Sequence, residues 1–299
     1  MPIEDFIIAV FCCVEQCLQE IAAEHPLRQR GFAPRCSDSE VLTMEVVGEF
    51  LGIDKEKHIW QYFRRHWYPW FPCLGSRSTF VRQAANLWVV KQMIQRKIAT
   101  LLGAYADTIH IMDGFPLPVC HRARAKRCKT FRDVSALGYC ASKDEYYWGL
   151  HGNVVISMTG VITGRTATMA TVDERVALCE VVDDITGLLI GDKGYISKRL
   201  QEDLLQYHTI DLQTPLRSNM RETRPPAFVR QLMTTRRLVE TVIGQLTDHL
   251  HIEKVRARDL WHLTSRISRK ILAHTVGVFL NRMLGRAPLQ FDGTRSQGV

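Results

Sequence analysis

From Ile3 to about Leu102 apolar side chains recur at three- and four-residue steps, and no run of alternating residues interrupts them. That spacing predicts an all-helical N-terminal unit. Within it "SDSE" at 37–40 has the form of a capping box, with Ser37 as N-cap and Glu40 reaching back, and it opens a segment holding Val41, Leu42, Met44, Val46, Val47, Phe50 and Leu51. The segment is apolar nearly all round, so it predicts a buried helix. A second start, "GSRSTF", leads into Phe80, Ala84, Leu87, Trp88, Ile94, Ile98 and Leu101 at helical steps. Arg77, Arg82, Gln83 and Asn86 fall on the other face. Arg suits guanine edges and phosphates, while Asn and Gln suit adenine, so this face is either a groove-reading surface or a plain solvated one.

At Thr108 the pattern changes. "TIHIMDGFPLPV" predicts a short strand ending at Asp113, before a glycine and two prolines. "WGLHGNVVISM", the turn Thr159–Gly160 and "VITGRTATMAT" predict a hairpin, and a helix follows around "DERVALCEVVDDI". Next come the strand "GLLIGD", a helix over "SKRLQEDLLQY", a strand in "TIDLQTPL" and a long helix from about Ala227 to Leu250. This order predicts an α+β chain with a mixed sheet and helices on its faces. The expected division is a helical unit over 1–105, a sheet unit over 106–285 and a loose tail over 286–299.

Composition and charge narrow the partners. Lys and Arg outnumber Asp and Glu by 39 to 31, a formal +8 with a pI near 9.1, which favours a polyanion such as nucleic acid. The 9 cysteines follow no paired C-x-x-C spacing of a tetrahedral zinc site and read as reduced thiols of a cytoplasmic protein. Glu and Gln inside the apolar opening "IEDFIIAVFCCVEQCLQEIA" argue against a signal peptide or a membrane span. The run "HRARAKRCKTFR" carries Arg122, Arg124, Lys126, Arg127 and Lys129, enough cations to neutralise several phosphates, although such runs are often only solvated.

The acids carry the chemistry. Asp113 and Asp192 each close a strand, where ligands of open sheets gather. Glu240 lies at the edge of the apolar stripe of the long helix, with Arg236 and Arg237 about one turn before it. Each has a plainer reading: turn chemistry for Asp113, a cap of the following helix for Asp192, a surface charge for Glu240. Asp173, Glu174, Asp183 and Asp184 read as helix-start and surface acids. Crowded carboxylates repel one another and call for a divalent cation, and an oxygen-only donor set selects Mg²⁺ or Mn²⁺.

"IMDGFPLPVCHRARAKRCK", "GYCASKDEYYWGL", "IGDKGY" and "RRLVETVIGQL" resemble, in this order, the successive blocks of the DDE-type insertion-sequence transposases. The resemblance covers most of the chain. It implies an RNase H-like catalytic domain in which Asp113, Asp192 and Glu240 are the catalytic and metal-binding acids. It also implies two Mg²⁺ (or Mn²⁺) ions, DNA cleavage and strand transfer at element ends without a covalent protein intermediate, and a homo-oligomer assembled on double-stranded DNA. Lys193, Lys198, Arg236, Arg237 and Lys254 join the candidate DNA contacts; Thr247 stands where many relatives carry a lysine, so Lys254 or Arg256 is the expected downstream cation. Two rival readings are a nuclease of the same fold without strand transfer and a repurposed, non-catalytic DNA-binding protein.

Overall fold

The computed structural model describes residues 1–27, 32–141 and 143–291. Its elements in chain order are α1 (Ile3–Glu24), α2 (Asp38–Phe50), α3 (Glu56–His66), α4 (Arg77–Asn86), α5 (Trp88–Leu101), β1 (Ile109–His121), β2 (Ala136–Cys140) and β3 (Glu145–Ser157). There follow β4 (Ile162–Met169), α6 (Glu174–Leu178), β5 (Gly187–Ile190), α7 (Lys198–His208), β6 (Ile210–Gln213), α8 (Pro226–Gly244) and α9 (Leu260–Met283). Two compact units result: Met1–Ile98 joined by the chain from Gln245 onward, and Ala99–Gly244. The chain is α+β, with a helical N-terminal region and a mixed sheet.

In the helical unit α2 is buried on nearly every side, as its pattern predicts. Both halves of its capping box form: the Glu40 amide donates to Ser37 Oγ at 3.1 Å and the Ser37 amide to Glu40 Oε2 at 2.6 Å. The long segment after "GSRSTF" breaks at Leu87 into α4 and α5. α1 is long and apolar enough by composition to cross a membrane; its Phe6, Ile7, Val10, Val14 and Ile21 are buried inside the unit. The nine cysteines are all free.

Residues 245–285, expected with the sheet, belong instead to the helical unit, where α9 packs against α1, α2 and α4. Charge explains the placement. α9 carries Arg269 and Lys270, both fully buried, and α2 carries the equally buried Glu45 and Glu49. Arg269 Nε donates to Glu49 Oε1, and Lys270 Nζ to Glu49 Oε2 at 2.7 Å. Lys91 on α5 closes the network on Glu45 at 2.7 Å. The loose tail also needs correction, because residues 286–291 are tied down. Asn281 Nδ2 donates to the carbonyls of Pro288 and Gln290, Gln245 Nε2 donates to that of Leu289, and the buried Phe291 ring meets Phe50 edge-on. Residues 292–299 lie outside the described residues.

The sheet unit holds six strands ordered β2-β3-β1-β5-β6, with β4 also on β3. β1 runs antiparallel to β3 and parallel to β5, which in turn is parallel to β6. Met112, Val155, Leu189 and Leu212 from its strands pack with Leu178, Val182, Tyr195 and Leu204. β1 does not stop at Asp113 but continues for 13 residues to His121, taking in Pro116 and Pro118. The prolines are two apart, so their missing N–H positions face one edge, and β5 covers that strand only over Ile109–Ile111. The hairpin turns at Thr159–Gly160, where Gly160 takes φ +78°. The helix expected around 173–185 shrinks to the single short α6, and the long final helix of the sheet unit ends at Gly244, followed by a π-turn over Gln245–His249.

Candidate active site

Asp113 leaves the middle of β1, opposite Val154 of β3. Its Oδ1 accepts the Gly114 amide at 2.8 Å and its Oδ2 accepts Arg236 Nη2 at 3.2 Å. Burial raises its pKa to about 6, against the opposing effects of the Gly114 amide and Arg236; the nearby charges of Asp192 and Glu174 add to the rise. Arg236 also donates through Nη1 to Glu240 Oε1 at 3.0 Å. One guanidinium from α8 therefore joins two of the expected acids, lying 123 and 4 residues away in the chain. The Arg236 Nε stays buried without a hydrogen-bond partner.

Asp192 follows Gly191 after β5 and caps a single turn, its Oδ1 accepting the Gly194 amide at 2.6 Å. The plain capping reading thus applies to its backbone role, while its charge still reaches Asp113. Glu240 is exposed on α8, where Arg236 is its ion-pair partner among the described residues.

A fourth carboxylate arrives that the sequence reading set aside as a surface acid. Glu174, the first residue of α6, lies with Oε1 3.2 Å from His151 Nε2. His151 Nδ1 is 3.3 Å from the Tyr147 hydroxyl, and the neighbouring Asn153 accepts from the Tyr195 hydroxyl at 3.2 Å. Burial, then the charges of Glu174, Asp113 and Asp192, push the Tyr195 pKa up, so its hydroxyl stays protonated and able to donate. Asn153 Nδ2 is buried without a partner. The only signal in sequence was "GLHGN", whose alternation turns His151 and Asn153 to the same face of β3 as each other.

Gly114, which follows Asp113, and Gly194, two residues after Asp192, are there for space. A Cβ on Gly114 would sit 2.2 Å from His151 Nε2 and 3.2 Å from Asn153 Oδ1. One on Gly194 would sit 2.9 Å from Asp192 Oδ1 and 3.3 Å from Glu174 Oε2. The Asp-Gly pair at 113–114 is therefore close packing within a strand rather than turn chemistry.

The expected DNA contacts separate into three groups. Arg122, Arg124, Lys126, Arg127 and Lys129 are solvent-facing after β1, with Arg122 resting over the Tyr146 ring at 4.9 Å. Lys193 and Arg237 are exposed and make no ion pair among the described residues, and Lys198 is 3.6 Å from Glu202. In the helical unit Arg77, Arg82 and Asn86 are exposed, and Lys254 lies in this unit rather than with the sheet. Gln83 is a correction: it is buried on the inner side of α4 and spends its amide on the Cys36 carbonyl at 3.0 Å and Asp38 Oδ1 at 2.8 Å. Nearby, the stretch "HIWQYFRRHWYPWFP" at 58–72 places Phe63 and Phe71 in the core, while Trp60 donates to the Gly75 carbonyl and Arg64 stacks on Tyr68 at 4.0 Å.

Among known families, a model described as "Transposase DDE domain" matches residues 103–260. No curated protein matches the chain.

Proposed function

The chain belongs to the transposase DDE-domain family, and from that premise we propose that it cleaves double-stranded DNA at the ends of an insertion element and joins the freed strand to a target. A transposase acts on DNA, so the partner class follows from the family. The proposal adds that Asp113, Asp192 and Glu240 form the reacting centre and that the enzyme works as a homo-oligomer assembled on DNA. The observation that carries the reading is Arg236, which draws Asp113 and Glu240 together from distant parts of the chain while the charge of Asp192 bears on Asp113.

Members of the family use divalent metal ions. The donor chemistry here suits Mg²⁺ or Mn²⁺, since the candidate ligands are carboxylate oxygens. The arrangement does not: among the described residues no group of three or more His, Cys, Asp or Glu side chains stands close enough to hold an ion. The Arg236 guanidinium supplies the positive charge between Asp113 and Glu240 instead. Use of two ions is thus part of the proposal, and it requires Arg236 to release at least one of the acids.

The test is cleavage of duplexes carrying the element's own ends, with and without Mg²⁺ or Mn²⁺. Asp113→Asn, Asp192→Asn and Glu240→Gln should each reduce cleavage to background while leaving duplex binding largely intact, because the amide keeps the shape and removes the charge. Cleavage retained by any one variant removes that residue from the centre. Cleaved ends that never join a target would favour the nuclease reading.

A further inference from the structure

A cleft of ≈ 540 Å³ opens in the helical unit, and residues from four separated stretches of the chain line it. Lys55, Lys57, Arg77, Lys254 and Arg256 stand on it, all of them solvent-exposed and none in an ion pair among the described residues. Its acids are already neutralised from within. Glu56 takes Arg266 on both oxygens, and Asp54 lies 3.5 Å from Lys270 and 2.9 Å from His251 Nδ1. The charges left facing solvent are therefore positive.

Two helix N-termini add to this. α3 starts at Glu56 after Lys55, which offers no side-chain cap, and α4 starts at Arg77, where Ser76 Oγ already takes the Thr79 amide. The free amides of a first helical turn carry partial positive charge and favour an anion. Unpaired cations held close together repel one another, a cost recovered when a polyanion lies among them. The Arg266–Glu56 pair holds the cleft in shape, and Arg266 also donates to the Arg256 carbonyl, fixing the segment that carries Lys254 and Arg256.

We infer that this cleft is a seat for the phosphate backbone of duplex DNA, gripped jointly by the starts of α3 and α4 and by residues 254–256. The choice of DNA over another polyanion rests on the reading of the chain as a DNA-cutting enzyme. The seat reads backbone charge and not sequence, since Lys and Arg on phosphates carry no base information. It joins Arg77 and Lys254, which lie on either side of the entire sheet unit in sequence, into one surface.

The experiment uses the full chain in EDTA, so that no chemistry proceeds, and titrates a duplex over a salt series. The triple variant Arg77→Gln, Lys254→Gln, Arg256→Gln is compared with a charge-matched control, Arg65→Gln, Lys97→Gln, Arg286→Gln. The cleft variant should bind on the order of 10-fold more weakly near physiological salt, with a log–log salt slope shallower by about 0.9 per lost phosphate contact. The control should keep most of the parent's slope. Equal losses in both variants overturn the cleft as a site. A loss confined to an RNA hairpin also overturns it and assigns the cleft to RNA. A parent whose binding does not respond to salt refutes the DNA reading itself, whereas a steep parent and an equally steep cleft variant refute only the seat. Should the triple variant melt early, the unmutated protein still decides: duplex should protect Lys55, Lys57 and Lys254 from acetylation, and unchanged labelling overturns the inference.

Discussion

The helical unit buries charged side chains fully, whereas the sheet unit keeps its central ones half-buried, and the two treat them in opposite ways. In the helical unit the buried charges are matched: Lys91 sits on Glu45, Arg269 and Lys270 on Glu49, Arg266 on Glu56. Burial works against the charge of Arg269, yet Glu49, Glu56 and Glu45 together hold its pKa above the ordinary value. In the sheet unit the charges around Asp113 are left half-matched. One arginine serves two acids, Asp192 and Glu174 add unfavourable charge to Asp113, and Arg236 Nε and Asn153 Nδ2 have no partner. The first arrangement pins α9 onto α2. The second leaves one arginine shared between two acids while further negative charge bears on Asp113, which is how a site differs from a clasp.

The comparison breaks first, if it breaks, at Arg269. Arg269→Met leaves Glu49 and its neighbours short of a buried positive charge and should lower the unfolding free energy by roughly 3–5 kcal/mol, read by urea denaturation followed by circular dichroism. Unchanged stability would mean that the buried network contributes nothing to holding the last helix. A smaller effect of opposite sign is expected in the sheet unit. Because the folded pKa of Asp113 is raised to about 6 from an ordinary 3.8, the folded state holds the proton more tightly than the unfolded one. Stability from this group is then fully present below about pH 4 and is lost as pH rises through 6. Asp113→Asn in metal-free buffer should therefore raise stability at pH 7 by roughly 1–2 kcal/mol, reduced from the full linkage value because the carboxyl is partly exposed, and should show no gain at pH 4. A loss of stability at pH 7 would place Asp113 among the matched charges. The smallest effect concerns the acid the sequence reading set aside: Glu174→Gln removes a neighbouring negative charge and should move the Asp113 pKa downward, as followed by carboxyl carbon chemical shifts. No movement would take Glu174 out of the centre.

Ser37 with Glu40, the Thr159–Gly160 turn and the strand before Asp192 were legible in the sequence because each is set by neighbours a few residues apart. Asp113, Asp192 and Glu240 could be named as candidates because they stand in ordered blocks beside strands and on a helix edge. Glu174 was not, since its place at the site depends on where β4 delivers the start of α6. Nor was β2, whose pairing partner is the first half of β3, or the inward turn of Gln83, which only the Asp38 end of α2 explains.

Local periodicity, capping and turn chemistry, all contained within a few turns of chain, determined by themselves that this protein has a helical N-terminal part, a mixed sheet and a basic surface. Tertiary structure alone decided that Arg236 lies between Asp113 and Glu240, and that residues beyond Gln245 return to the N-terminal helices. Both rest on long-range charge pairings shielded from bulk water, partly at Arg236–Asp113 and fully at Arg269–Glu49. There an unpaired ion is too costly to leave alone, and the partner that meets it is chosen by the fold rather than by distance along the chain.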